Sequence, residues 1–245
     1  MGFFSILYLI AISAIGLSSL VNGDVFKSER ELRRDIFRDY DNQARPVKRA
    51  STPVPAKLAL SFLGLTDMNE KDQIIVLESL MALYWTDEYL HWDPSEYDNI
   101  TELHVSPSSI WRPEVALYNA IGDSSYFPIV QTDAIIYSNG TVLWVPPFTL
   151  KSRCPTSFGN SVPFTNKYVE CTINMGSWTN SRKRLDLRLL TNEVDLTDFQ
   201  DYNRNWKLVK VDSSWESRLY PCCADEYSLL TFNVTLKRRH YGNDD

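Results

Sequence analysis

Apolar and polar residues alternate along most of this chain from Leu58 onward. The clearest runs place an apolar residue at every second position, as in Phe232, Val234 and Leu236 and again in Leu185, Leu187 and Leu189. Alternation with a period of two is typical of strands that bury one face and expose the other. These patterns predict a mainly β protein.

A hairpin is predicted where residues 135–137 and 142–145 flank Ser138-Asn139-Gly140, because asparagine followed by glycine favours a tight turn. Other short apolar runs end at Pro, Gly, Asn or Asp. Many short strands separated by such turns indicate a single all-β domain, either a sandwich or a barrel.

One helix is predicted near the start of the chain. Ser28-Glu29-Arg30-Glu31 has the form of a capping box. A helical stripe follows it, made of Leu32, Ile36, Phe37 and Tyr40. The pattern predicts a helix over residues 29–40, and three prolines then indicate an extended connector: Pro46, Pro53 and Pro55.

The first residues predict a targeting segment. Residues 3–21 are apolar or small, no charge precedes Asp24, and Val21-Asn22-Gly23 has the form of a signal-peptidase site. We therefore expect a signal peptide at 1–23 and one domain at 24–245. A transmembrane anchor is the alternative, because the apolar run is about long enough to span a bilayer.

The expected product is a secreted, extracellular protein, since no later stretch approaches the roughly 18 apolar residues of a membrane span. Three glycosylation acceptors agree with that route: Asn99, Asn139 and Asn233. Four cysteines predict two disulfides in an oxidising compartment, with three connectivities open: Cys154, Cys171, Cys222 and Cys223.

Composition argues against several functions. The net charge of −6 disfavours nucleic acid as a partner and is compatible both with a cationic ligand and with ordinary solubility. The chain lacks the Cys-x-x-Cys and paired-histidine spacings of metal sites, and it has no nucleophile elbow, phosphate loop or dinucleotide fingerprint. We predict no enzyme, no cofactor and no metal, although a catalytic carboxylate pair has no sequence signature.

Two adjacent cysteines, Cys222 and Cys223, lie between Tyr220 and Tyr227. A stiff disulfide ring beside tyrosines suggests a binding loop. Four motifs occur in order along the chain: residues 85–92 (WTDEYLHW), residues 111–119 (WRPEVALYN), Gly176-Ser-Trp178 and Tyr220-Pro-Cys-Cys223.

This ordered set resembles the extracellular ligand-binding domain of the Cys-loop (nicotinic-type) receptors, and especially their soluble relatives, the acetylcholine-binding proteins. The likeness extends from the predicted helix to Lys237-Arg-Arg239. It implies an immunoglobulin-like twisted β-sandwich with an N-terminal α-helix, five copies of which form a ring with ligand sites between subunits. It also implies that Cys154 pairs with Cys171 and Cys222 with Cys223.

The resemblance assigns the site residues. The principal face would comprise Tyr118, Trp178, Tyr220, Cys222, Cys223 and Tyr227, and the complementary face Leu80, Ile135, Leu143 and Val145. Aromatic faces attract a quaternary ammonium by ~0.5–2 kcal/mol each, and indole is the best of them, so Trp178 is expected to be the main platform. The other six tryptophans are predicted to be core: Trp85, Trp92, Trp111, Trp144, Trp206 and Trp215.

The chain departs from the family pattern at three places. Family members usually carry a tryptophan where this chain has Leu80, so the complementary wall is expected to be apolar and to lack one ring. Receptors carry Phe-Pro-Phe-Asp where this chain has Val162-Pro-Phe-Thr165, inside a longer loop. Receptors continue into a membrane helix, whereas this chain stops after residues 240–245.

These features predict a secreted, homopentameric binding protein for acetylcholine-like or nicotine-like cations. The leucine at position 80 is compatible with three interpretations: the site prefers bulkier and more apolar cations, the subunit pairs with a different neighbouring subunit, or classical agonists bind poorly. Two alternatives to the overall reading stand. One is the extracellular domain of a nicotinic-type channel subunit, and the other is a secreted adhesion sandwich, which predicts that Trp178 and Tyr227 are buried on different faces.

Overall fold

The computed structural model of the protein describes residues 27–122, 132–155 and 168–239. The predicted signal peptide at 1–23, the 162–165 run and residues 240–245 lie outside these ranges. Within them the chain forms one α-helix, eleven strands and two short 3-10 turns. Their bounds are α1 (Glu29–Phe37), β1 (Val54–Asn69), β2 (Ile74–Thr86), turn one (Pro94–Glu96), β3 (Glu102–Val105), turn two (Pro107–Ser109), β4 (Ala116–Leu117), β5 (Ala134–Tyr137), β6 (Thr141–Trp144), β7 (Pro147–Arg153), β8 (Tyr168–Gly176), β9 (Leu185–Leu189), β10 (Trp206–Leu219) and β11 (Glu226–Arg238).

The strands form two sheets with the apolar core between them. The larger sheet has the order β3-β5-β6-β2-β1-β9, with β7 also paired to β2, and the smaller has the order β10-β11-β8-β4. Alternate residues of most strands enter one buried cluster, in which Phe62 of the larger sheet and Phe232 of the smaller are the largest fully buried side chains. The predicted β-sandwich with an N-terminal helix is thereby confirmed.

Helix α1 begins as the capping pattern predicts but ends earlier. The Glu31 carboxylate accepts hydrogen bonds from the Ser28 N–H at 2.8 Å and from its hydroxyl at 3.1 Å. The helix ends at Phe37, not at Tyr40. Asp39 lies just beyond the helix, where a negative charge interacts unfavourably with the helix dipole. The next residue, Tyr40, donates its hydroxyl to Asp87 in another part of the fold.

The hairpin predicted around Asn139 is present between β5 and β6. Gly140 adopts φ = +85°, and a Cβ there would lie 2.6 Å from the Asp87 carbonyl oxygen, so the position requires glycine.

The glycosylation acceptors Asn99 and Asn139 are exposed. Asn233 lies within β11, where its side-chain oxygen accepts a hydrogen bond from the Thr172 hydroxyl at 2.9 Å.

A disulfide joins the two sheets. Cys154 follows β7 of the larger sheet and Cys171 lies in β8 of the smaller, and both are fully buried. The bond therefore fixes the separation of the sheets near the end of β7.

None of the helices within the three described ranges has the length and apolar character that a membrane span requires.

The far edge of the larger sheet is closed by segments from late in the sequence. β1 pairs in parallel with β9, and the following segment continues the ladder. Asp195 donates its N–H to Leu60 and accepts the N–H of Phe62, both at 3.0 Å, and Gln200 donates to Leu63 at 2.7 Å. The backbone of β1 is thus bonded on both sides.

A buried carboxyl group anchors the helix end to the sandwich. Asp87 is 1% exposed and accepts a 2.6 Å hydrogen bond from the Tyr40 hydroxyl, which in turn accepts the N–H of Trp111. Burial raises the pKa of Asp87, and hydrogen bonds from Tyr40 and from the N–H groups of Tyr89 and Leu90 partly oppose that effect. The carboxylate therefore depends on these donors at neutral pH.

Replacing Tyr40 by phenylalanine should lower the free energy of unfolding by about 2 kcal/mol at pH 7.5, because a hydrogen bond to a buried charge is lost. The substitution raises the folded-state pKa of Asp87 further, so its cost is complete above that pKa and shrinks as the pH falls toward the unfolded value. Urea denaturation at pH 7.5 and pH 4 measures both effects. A loss of equal size at the two pH values would contradict the role assigned to Asp87.

Candidate functional site

Four aromatic side chains meet at one end of the smaller sheet. Tyr118 follows β4, Trp178 lies two residues after β8, Tyr220 follows β10 directly, and Tyr227 is the second residue of β11. Antiparallel pairing of β4, β8, β11 and β10 places these strand ends side by side, as the partnership of Gly176 with both Ala116 and Leu229 demonstrates. The sheet thereby brings together residues from three of the sequence motifs and Tyr227, which lies beyond the last of them.

The rings form two edge-to-face pairs. The centroids of Tyr118 and Trp178 are 5.6 Å apart with an interplanar angle of 70°, and those of Tyr220 and Tyr227 are 5.9 Å apart at 72°. Both geometries are favourable for aromatic contacts. Trp178 nevertheless remains 63% exposed, whereas no other tryptophan of the chain is exposed. An exposed indole beside three phenols is costly to a fold and points to a binding surface.

The six other tryptophans behave as predicted for core residues, with one qualification. Five of them are buried, namely Trp85, Trp92, Trp111, Trp144 and Trp206. Trp215 is only partly buried, packs against the core, and lies under the guanidinium of Arg188, whose central carbon is 3.5 Å from the ring centroid.

Tyr118 is held in place through a glycine. Its hydroxyl donates a 2.8 Å hydrogen bond to the Ser177 carbonyl oxygen. A Cβ on Gly176 would lie 2.5 Å from that hydroxyl and 2.5 Å from the Ser228 carbonyl oxygen, so only glycine leaves room for the phenol. Burial raises the pKa of Tyr118 well above its usual range, and the electrostatic influence of Tyr220, Glu114 and Tyr227 raises it further. The phenol is therefore neutral.

The Trp178 loop is organised by a carboxylate. Glu114 accepts hydrogen bonds from the Ser177 hydroxyl at 2.7 Å, the Thr179 N–H at 2.9 Å and hydroxyl at 2.7 Å, and the Asn180 amide at 3.1 Å. Burial raises the pKa of Glu114, but these hydrogen bonds outweigh burial and hold the pKa below its ordinary value. The charged form of Glu114 therefore fixes the residues on both sides of Trp178.

The β10–β11 hairpin extends beyond the sheet and carries the vicinal disulfide. Cys222 and Cys223 are bonded to each other at its tip, with Cα atoms 3.8 Å apart, and the Cys223 N–H donates to the Tyr220 carbonyl oxygen at 3.0 Å. Cys222 and Leu219 are exposed. We name residues 219–226 the capping hairpin.

The four residues assigned to a complementary face lie on the other sheet. Ile135 pairs with Leu143 across β5 and β6, Leu80 lies on β2, and Val145 follows β6 and is 36% exposed. All four lie on the less buried face of the larger sheet, away from the core. They form an apolar surface separate from the aromatic cluster.

Two positioning residues were not identified from the sequence as site residues. Glu114 lies in the 111–119 motif and Gly176 opens the Gly-Ser-Trp motif. The only sequence signal for them was that both lie within the motifs, because their roles depend on contacts between β4 and β8 that no local pattern encodes.

Within the described residues no cluster of metal-ligating side chains is present.

Comparisons with known proteins identify the family of the chain. Residues 29–240 match the model of the neurotransmitter-gated ion-channel ligand binding domain. The chain is 34% identical over 216 residues to the acetylcholine receptor subunit alpha-type acr-16 of Caenorhabditis elegans, covering 87% of this chain and 42% of that protein. It is 33% identical over 216 residues to the human neuronal acetylcholine receptor subunit alpha-2, covering 88% of this chain and 40% of that protein.

A solved structure is also similar. The acetylcholine-binding protein of Capitella teleta in complex with lobeline matches with a TM-score of 0.72 and 25% identity, covering 86% of this chain and 97% of that one.

The fold and the aromatic cluster define a ligand-binding receptor domain. The chain belongs to the neurotransmitter-gated ion-channel ligand-binding domain family, as the sequence resemblance indicated. It spans about two-fifths of the length of the curated receptor relatives.

Replacing Glu114 by glutamine should lower the free energy of unfolding by about 2 kcal/mol at pH 7.5, because several hydrogen bonds to a charge become bonds to a neutral group. The folded pKa of Glu114 is lowered, so the stabilisation is present above the ordinary pKa and disappears as the pH falls through the folded value. Urea denaturation at pH 7.5 and pH 3 measures the difference.

The matched control is Glu193→Gln, at an exposed position away from the Trp178 loop. It should leave stability unchanged at both pH values. Acrylamide quenching of Trp178 should also increase in Glu114→Gln, since the loop loses its anchor. Unchanged stability and unchanged quenching would refute the positioning role.

Proposed function

We propose that this protein is a secreted binding protein that holds acetylcholine-like cations in the aromatic cluster without catalysing their turnover. The proposal rests mainly on the exposed Trp178, which contacts Tyr118 edge to face and lies at the same strand ends as Tyr220 and Tyr227. Its relatives include nicotinic receptor subunits, and a similar solved structure is an acetylcholine-binding protein.

The chemistry of the cluster suits a methylated cation. A quaternary ammonium donates no hydrogen bonds, and each aromatic face contributes ~0.5–2 kcal/mol. Glu114, whose charge acts on Tyr118, already accepts hydrogen bonds from the Trp178 loop, so the cation would be held by the ring faces. Tyr118 stays neutral because burial raises its pKa. A protonated amine would in addition donate to the Trp178 carbonyl oxygen.

A complete site would need two copies of the chain. The aromatic cluster belongs to the smaller sheet, and the apolar surface of Leu80, Ile135, Leu143 and Val145 belongs to the larger one. We infer a homopentamer in which the apolar surface of one subunit faces the aromatic cluster of the next, with the capping hairpin closing over the ligand. The cysteine ring at its tip, Cys222–Cys223, would stiffen that closure.

Leu80 defines the ligand class. A leucine retains an apolar wall but supplies no ring, which would weaken a small quaternary cation by ~1–2 kcal/mol relative to an aromatic residue. The surrounding Ile135, Leu143 and Val145 are also apolar. We therefore propose that the site prefers cations with bulky apolar bodies, such as nicotine-like alkaloids, over acetylcholine itself.

A second candidate is the extracellular domain of a nicotinic-type channel subunit, favoured by the receptor subunits among its relatives. Expression of the full natural transcript, followed by detection of the protein in medium or in membranes, separates the two. The adhesion alternative loses its support, because it required Trp178 and Tyr227 to be buried apart.

Trp178→Ala should weaken the binding of nicotine and of acetylcholine by about thirtyfold or more, because the main cation–π platform is removed. Isothermal titration calorimetry on a pentamer sized by light scattering measures the affinity. Trp178→Phe should lie between the native protein and the alanine variant. Trp215→Phe is the control, since that ring lies outside the cluster. Native affinity in Trp178→Ala would refute the cage.

Leu80→Trp should tighten acetylcholine binding by about five- to thirtyfold, because an indole joins the complementary wall. The matched control is Leu190→Trp, which adds the same ring at an exposed position on another part of the surface. The same calorimetric titration applies. An unchanged affinity in Leu80→Trp, or an equal gain in both variants, would count against the proposed place of Leu80.

A further inference from the structure

A cleft lies beside the capping hairpin. It has a volume of about 810 Å³ and is bounded by the connector before β1, the turn before β9, and the hairpin end at Ala224 to Glu226. Such a volume is in the range of small-molecule sites. Its charged lining is formed by Arg45, Arg182, Lys183, Arg184, Asp225 and Glu226.

The lining has an excess of positive charge. Four cationic side chains face two carboxylates, and the basic triplet 182–184 supplies three of the four. Arg182 is already engaged by Asp186 at 3.3 Å and by Glu226 at 3.4 Å. Glu226 also accepts from the Ser217 hydroxyl at 2.6 Å. The two acids of the cleft are therefore paired with two of its own cations, Glu226 with Arg182 and Asp225 with Lys183. Arg45 and Arg184 remain as the excess positive charge.

Two guanidinium groups remain without a carboxylate among the described residues. Arg184 donates its Nε to the Asn180 side-chain oxygen at 3.2 Å, which leaves its terminal nitrogens available. Arg45 donates through both terminal nitrogens to the backbone carbonyls of Ala50, Thr52 and Arg184, so it contributes mainly its charge to the cleft. Burial, and then the charge of Arg184, lower the pKa of Arg45. Like charges held this close favour a bound anion between them.

Lys183 couples the cleft to the capping hairpin. Its ammonium forms a 2.6 Å ion pair with Asp225, two residues after Cys223. The Lys183 side chain is 78% exposed, and exposed pairs of this kind contribute little stability. An anion in the cleft can therefore replace Asp225 as the partner of Lys183.

We propose that this cleft binds an oxyanion, a sulfate or phosphate group either free or carried on a sugar, through Arg184, Arg45 and Lys183. The Arg184 guanidinium can hold a tetrahedral oxyanion through paired hydrogen bonds, and Arg45 and the Lys183 ammonium add two further positive charges. The bound anion competes with Asp225 for Lys183 and so releases one tether of the capping hairpin. This site is separate from the aromatic cluster and does not depend on the cation bound there.

Equilibrium dialysis with radiolabelled sulfate tests the site, with chloride keeping the ionic strength constant so that general screening does not vary. We expect one saturable site per chain. Arg184→Gln should weaken sulfate binding by about tenfold or more, and Lys183→Gln should weaken it as well. Asp225→Asn should tighten it, because the competitor for Lys183 is removed. The charge-matched control Arg30→Gln, on an exposed face of α1, should bind as the native protein does.

The absence of saturable binding would overturn the proposal, and so would an equal loss in Arg30→Gln and Arg184→Gln. Unchanged affinity in Asp225→Asn would refute the competition for Lys183. A sulfated disaccharide provides the second arm. Tighter binding of the disaccharide than of inorganic sulfate would assign the anion to a sugar, and equal binding would assign the free ion.

Hydrogen exchange of a peptide covering residues 220–226 tests the release of the hairpin. Saturating sulfate should accelerate amide exchange there in the native protein and have no effect in Arg184→Gln. Bound sulfate with no acceleration in the native protein would show that the cleft does not act on the hairpin. This measurement needs no cationic ligand, so its failure is distinguishable from failure of the proposed function.

Discussion

The antiparallel pairing of β8 with β11 is the constraint around which the rings of the site are arranged, because β4 pairs with β8 and β10 pairs with β11. Because antiparallel neighbours run in opposite directions, the end of β8 falls beside the start of β11, and the end of β10 falls beside that same start. A shift of one residue would turn Tyr227 to the opposite face of the sheet. The core residues of β11, such as Phe232 and Val234, specify this register through their burial. Apolar packing in the sandwich thus sets the geometry of a site that lies outside it.

The charged carboxylate and the aromatic rings have different roles in the cluster. The negative charge of Glu114 orders the loop that presents Trp178, and burial keeps the Tyr118 phenol neutral by raising its pKa. Burying a carboxylate against the ligand would carry a large desolvation cost, which the ring faces avoid. Basic residues line the cleft around Arg184, which residues 224–226 of the capping hairpin also line. The same hairpin therefore contributes Tyr220 to the aromatic cluster and acidic residues to a basic cleft.

Sequence patterns predicted the strands, the helix start and the residues of the aromatic cluster, because alternation and ordered motifs are local or linear signals. The helix end was wrong by three residues, since Tyr40 is recruited by the buried Asp87 far away in the chain. The roles of Glu114 and Gly176 were not predictable, because each depends on the approach of β4 to β8. The basic triplet 182–184 gained meaning only when folding placed it against Arg45 and the hairpin.

The closing of β1 by β9 has a consequence for biogenesis. β1 is among the first strands to be synthesised, yet its parallel partner and the bonds from Asp195 and Gln200 come from the last third of the chain. Until that part emerges, one edge of β1 has unpaired backbone groups and can template incorrect association. Contacts between such distant segments also slow folding. The nascent chain must therefore be protected from aggregation until nearly the whole domain has been translated.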